Sequence, residues 1–229
     1  MLLFAGCELG IGLFALASPW LYYDVAYLRL GDWIKTPEVL PLVHFALLLV
    51  PTLLMGASLP LLARAVVTEV EGAARTIGLL YGLNTLGAAL GAATASWLLI
   101  GAFGFVGTIQ VGALGNLAVA VAALLLLRGT DPNGVPPESA PPPRSTGPEP
   151  LVRFGTWCGL YALAGFVALS LELLWFRMLD VMIKSSPYTF GHLLAFFLGF
   201  LALGSIFAAL RVERWRQPER IGLWCLWGV

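Results

Sequence analysis

An all-α, polytopic bundle of membrane-spanning helices is the fold the sequence predicts, and three observations predict it. Of 229 residues, 59% are hydrophobic and only 11% are charged, against roughly 25% charged in soluble domains. Mean hydropathy is +0.87. The apolar residues also gather into long runs, each near the ~20 residues that a helix needs to cross a hydrocarbon core.

The first run, Leu2 to Tyr23, ends in Trp20, Tyr22 and Tyr23, amphipathic rings suited to a membrane interface. Ala15-Leu16-Ala17 imitates a signal-peptidase site. The run lacks a basic leader and is interrupted by Glu8, so it reads as a span rather than a secretory signal. At helical spacing Glu8 shares a face with Ala5, Gly12 and Ala15, small residues that admit a neighbouring helix, so the acid is expected to point into the bundle. Asp24 to Glu38 reads as a polar loop with an interfacial turn near Trp33.

The second run, Val39 to Leu62, contains Pro41, Pro51 and Pro60 and predicts a bent helix. His44, near its start, fits an interfacial or structural role better than a proton relay. The third, Ile77 to Ile100, places Tyr81, Asn84, Gly87 or Ala88, Gly91 and Ala95 on one face, which is expected to pack closely, with Asn84 bonding across helices. GAFG then turns the chain into a fourth run, Phe105 to Leu127, where Gly112, Ala113, Asn116 and Ala120 repeat the device.

Residues 128–153 are rich in Pro and Ser and too poor in apolar groups to fold, so they form a linker. It divides the chain into a first membrane repeat, 1–127 with about four spans, and the start of a second, 154–229. The second part holds a fifth run, Phe154 to Phe176, a sixth, Tyr188 to Leu210, and an apolar stretch from Ile221 that is too short to cross. GLWCLWGV at one end and MLLFAGCE at the other share a texture of Leu, aromatic, Cys and Gly. This texture suggests a piece of a longer, repeated protein.

Basic residues orient the chain. Arg64, Arg75, Arg128, Arg144, Arg153, Arg211, Arg214, Arg216 and Arg220 fall on one side of alternating loops, and Arg29, Lys35, Arg177 and Lys184 on the other. The positive-inside rule assigns the richer side, with the N-terminus and the linker, to the cytoplasm. Thirteen Lys and Arg balance thirteen Asp and Glu, so nothing in the charge points to nucleic acid. Cys7, Cys158 and Cys225 lie in apolar runs without ligand spacing, which leaves no disulfide, metal or cofactor expectation.

The second intramembrane acid, Glu172, shares a face with Gly165, Ala168 and Leu169. Arg177 lies about 140° round the helix from it and pairs more naturally with Asp180, three residues on, as a structural ion pair. Acids inside a span are costly and mark either interhelical glue or a functional place. Glu8, Glu172 and Asn84 are therefore the candidate solute-binding residues, with no catalytic residue expected.

Several stretches, ELGIGLFAL, PTLLMGASLPLLAR, GLLYGLNTLGAALGA and ALSLELLWFRMLD followed by SSPYTFGHLLAFFLGFLALGS, occur in this order across most of the chain outside the linker. In them the chain resembles bacterial spermidine-synthase-like membrane proteins, which combine a major-facilitator-like membrane part with a soluble aminopropyltransferase-like domain. The resemblance implies two membrane repeats, an inner-membrane location and a polyamine-like or other small cationic solute. It extends to the membrane part only: no Gly-rich nucleotide loop follows a strand here, and GAFGFVG is a turn between spans. Aminopropyl transfer would require a soluble domain supplied elsewhere. A non-transporting anchor for such a domain, or for a membrane partner subunit, is the other expectation.

Overall fold

A computed structural model describes residues 1–29, 31, 36, 38–67, 72–128, 154–183, 187–214 and 218–227, and these are helical apart from short connections. Helix α1 spans Leu2–Trp20 and continues in wider π-helical turns over Leu21–Arg29. The expected loop from Asp24 therefore begins about a turn and a half later. Tyr23 and Tyr27 stack at 6.0 Å along this extension, and Ala26 is buried; such packing holds a polar segment helical against its local preference. The expected turn near Trp33 falls outside the described residues.

Helix α2 (Val39–Val66) runs without interruption past Pro51 and Pro60. Helix α3 (Ala73–Thr94) passes through a π-helical turn, Ala95–Leu99, into α4 (Ile100–Arg128). Helices α5 (Phe154–Ile183), α6 (Pro187–Arg211) and the short α7 (Pro218–Trp227) follow, with a 3-10 turn at Val212–Arg214. The Pro-rich segment lies, from 129 to 153, outside the described residues.

Among the described residues five helical stretches are long and apolar enough to cross a membrane, and the protein is a polytopic membrane protein on that basis. One of them, Ala73–Arg128, has 56 residues, about 84 Å of continuous helix against a hydrocarbon core of about 30 Å. Gly104 interrupts it, with φ 66° and ψ −175°. The break falls in the GAFG turn and divides the stretch into two lengths that each suit one crossing, α3 and α4.

Packing is carried by small residues, as befits helices with no hydrophobic drive to associate in lipid. Helix α1 lies on α4, where Gly12 faces Ala113 and Leu117, and on α2, where Gly10 faces Leu54. Helix α3 lies antiparallel on α6: Gly78 meets Ala209, Gly82 meets Ile206 and Ala202, and the Ser205 hydroxyl donates to the Gly78 carbonyl at 3.1 Å. The buried set is Ala-rich, including Ala5, Ala113, Ala120, Ala123, Ala202 and Ala209. Large side chains such as Leu42, Phe45, Phe166 and Leu169 stay exposed, the inverse of a soluble core and suited to lipid.

One expectation about faces is corrected. On α3 the residues buried are Gly82, Thr85 and Ala89, whereas Tyr81, Asn84, Gly87 and Gly91 are exposed, and a Cβ on either of those glycines would meet nothing within 4 Å. The GxxxG spacing is present, but the partner helix lies about one residue's rotation away. On α4, Ala113 and Ala120 are buried as expected, while Gly112 faces open space.

Candidate functional site

Two clefts open between helices, each beside one of the intramembrane acids. The first, about 590 Å³, lies between α1, α2 and α4. Its walls are mostly apolar, with Ile11, Phe14, Pro51 and Met55 among them, and its polar groups are Ser18, Tyr22, Thr52 and Asn116. The Ser18 hydroxyl donates to the Ala15 carbonyl at 2.8 Å and the Thr52 hydroxyl to the Leu48 carbonyl at 2.7 Å, so both donors serve their own helices. The half-buried Asn116 amide makes no hydrogen bond among the described residues and is available to a bound molecule.

Glu8 stands one turn from this cleft. Its neighbours at i+3 and i+4 are Ile11, which lines the cleft, and Gly12, which touches α4. Flanked by those two, Glu8 lies on the inward side of α1. It is half-buried, and among the described residues it forms no ion pair. The small-residue face that the sequence assigns to Glu8 thus exists, with Ala5 and Gly12 buried.

The second cleft, about 410 Å³, lies between α5 and α6 and is lined by Trp175, Leu193, Phe196, Phe197, Phe200 and Leu201. Glu172 stands to it as Glu8 stands to the first. Its i+3 neighbour Trp175 lines the cleft, and its i+4 neighbour Phe176 meets Phe190 of α6 edge-on at 5.1 Å. These two residues lie about 60° to one side and about 40° to the other of Glu172 around the helix, which places the half-buried acid on the meridian facing α6. Arg177 is exposed and Asp180 half-buried, and among the described residues no ion pair joins them. Asn84 is exposed on α3 and lines neither cleft.

A third constellation has no counterpart in the sequence reading. The Trp97 indole N–H, on the π-helical turn after α3, donates to His192 Nε2 on α6, and His192 Nδ1 donates to the Tyr188 carbonyl at 2.5 Å. Both imidazole nitrogens are used, in the neutral tautomer protonated at Nδ1. Next to it a Cβ on Gly191 would overlap the side chain of Ser96. A histidine five residues into an apolar run was the available signal, but its partner lies 95 positions away. Among the described residues no group of His, Cys, Asp and Glu could hold a metal ion.

Comparison with protein-family models, with curated proteins and with solved structures gives no match for this chain.

Proposed function

We propose that this chain is a transporter-like membrane module, of the kind found in spermidine-synthase-like proteins of the bacterial inner membrane, which handles a small cationic, polyamine-like solute. The observation that carries the reading is the first cleft: an open angle between three helices, where among the described residues the Asn116 amide has no hydrogen-bond partner and Glu8, one turn from the wall, has no ion pair. Acids and polar groups kept inside a bundle at some energetic cost are where solute paths run, and sites between helices of repeated units are the usual place for them.

A repeated unit supports it further. Glu8, His44, Gly56 and Ile77-Gly78-Leu79 occur in the first part of the chain, and Glu172, His192, Gly204 and Ile221-Gly222-Leu223 occur in the same order in the second. The spacing from histidine to glycine is the same in both. Each histidine also hooks its Nδ1 to the carbonyl four residues back, Leu40 at 2.7 Å and Tyr188 at 2.5 Å. The two clefts then occupy corresponding places, with Ile11 answering to Trp175, Leu48 to Phe196 and Thr52 to Phe200.

The test is flux. With the protein reconstituted in liposomes, labelled spermidine should accumulate, and Glu8→Gln or Asn116→Leu should cut the initial rate at least about tenfold, with insertion and monodispersity unchanged. Absence of flux in the unaltered protein, or equal rates in both variants, would sink the proposal. One observation favours an anchor or assembly role instead: among the described residues α5 lies only lightly on α6, and no residue of its apolar window is buried, which suits a helix that receives a partner subunit. That reading predicts co-purification with a soluble aminopropyltransferase-like protein or a membrane partner, and stability indifferent to polyamines.

A further inference from the structure

The geometry points to the α5–α6 cleft as a binding site for a bulky organic ammonium ion, one whose charge is wrapped in alkyl groups. This extends to a second site the reading of the intramembrane acids as countercharges, and it rests on that reading for Glu172.

The lining decides the chemical class. Trp175, Phe196, Phe197 and Phe200 contribute aromatic rings and Leu193 and Leu201 aliphatic ones; the walls offer no side-chain hydrogen-bond acceptor. Aromatic faces attract cations through their quadrupole, Trp most strongly, and aromatic cages are a recurring way to hold quaternary ammonium groups. A primary ammonium would arrive with three N–H donors to satisfy and would lose its water for nothing here. An ammonium whose nitrogen bears methyl or ethyl groups has little to lose. The cleft, at about 410 Å³, admits such a head group and leaves room for a short chain.

Charge complementarity selects the cation over a neutral molecule of the same shape. Glu172 lies on the α6-facing meridian of α5, one turn before Trp175, half-buried and with no ion pair among the described residues. On the other side the edge-on contact of Phe176 with Phe190 closes the hairpin. Glu172 and Trp175 therefore stand on successive turns of α5, the acid one turn from the lining and the indole within it, while Phe196, Phe197 and Phe200 face them from α6. The corresponding place in the first cleft carries Thr52 where this one carries Phe200, and Ile11 where this one carries Trp175, so the two sites are built for differently hydrated ligands.

The probe is choline, against its neutral isostere 3,3-dimethylbutan-1-ol, titrated calorimetrically into the full chain in maltoside micelles, which contain no choline headgroup. Choline should bind saturably and the isostere at least about tenfold more weakly. Glu172→Gln and Phe200→Leu should each weaken choline at least about fivefold, with circular dichroism and elution volume unchanged, while Gly87→Ala, outside both clefts and in open space, should leave it unaltered. No saturable choline binding, equal affinity for the isostere, or indifference to Glu172→Gln would overturn the inference. Spermidine flux that persists without choline binding overturns this site alone. Choline binding without any flux overturns the transport reading alone.

Discussion

A hydrogen bond from the Trp97 indole N–H to the His192 imidazole Nε2 ties the π-helical turn after α3 to α6, the two rings 5.1 Å apart and tilted by 51°. The bond depends on the other imidazole nitrogen, which the Tyr188 carbonyl holds as a donor. Trp97→Phe keeps most of the ring and removes the donor. It should lower stability by about 0.5–1.5 kcal/mol, and adding His192→Ala should cost less than the two single losses combined, because both remove one interaction. Denaturant titration of the two single variants and the double variant in detergent measures the coupling; strict additivity would mean the pair does not hold the helices.

Two glycines on α3 report which face is packed. A Cβ on Gly82 would lie 2.6 Å from Ile206 Cγ1 and 3.2 Å from the Ile206 nitrogen, so backbone as well as side chain resists it. Gly82→Ala should destabilise by about 1–3 kcal/mol. Gly87→Ala meets nothing within 4 Å and should be neutral or stabilising by up to about 1 kcal/mol through helix propensity. Thermal melts of the two variants should move in opposite directions, or only the first should move at all.

Gly104 is constrained by its backbone rather than by its neighbours. At φ 66° and ψ −175° it occupies a region that is essentially closed to residues with a Cβ, although space around it is open. Gly104→Ala should therefore cost about 1–3 kcal/mol, whereas Gly101→Ala, also in open space and without a positive φ, should cost almost nothing. Comparing their yields of monodisperse protein and their melting temperatures checks this.

The contact between Arg75 and Glu213 tests the opposite end of the same helix pair. It spans 3.8 Å with both side chains about half exposed, and pairs of that kind contribute little. Glu213→Gln should change stability by less than about 1 kcal/mol, and the change should shrink further in high salt, as a melt at two ionic strengths would show.

Much of this architecture was legible in composition and run length. Spans, the turn at GAFG and the Ala113/Ala120 face follow from hydropathy and residue size, which act locally. The α3 face was not legible, because Gly82, Thr85 and Ala89 differ from Tyr81, Asn84 and Gly91 by a rotation of about 100°, and both series contain small residues. Only the position of α6 separates them. The helical continuation from Leu21 to Arg29 escaped for a similar reason, since a polar segment reads as loop until the packing of Ala26 and the stacked tyrosines is known. Glu8 and Glu172 stood out as costly residues. That each borders a cleft depends on what its i+3 and i+4 neighbours touch, which is tertiary information. Asn116, unlike Asn84, earns its place in a cleft only through where α1 and α2 lie beside it.

The break at Gly104 also bears on how the chain enters a bilayer. Between Arg75 and Arg128 the sequence contains no charged residue, and the turn that joins the two crossings is made of Gly, Ala and Phe. A hinge of that kind can pass through hydrocarbon without dragging an ion or a hydrated loop after it. The two helices can therefore insert together as a closed pin, with both arginines left behind on the side from which insertion started.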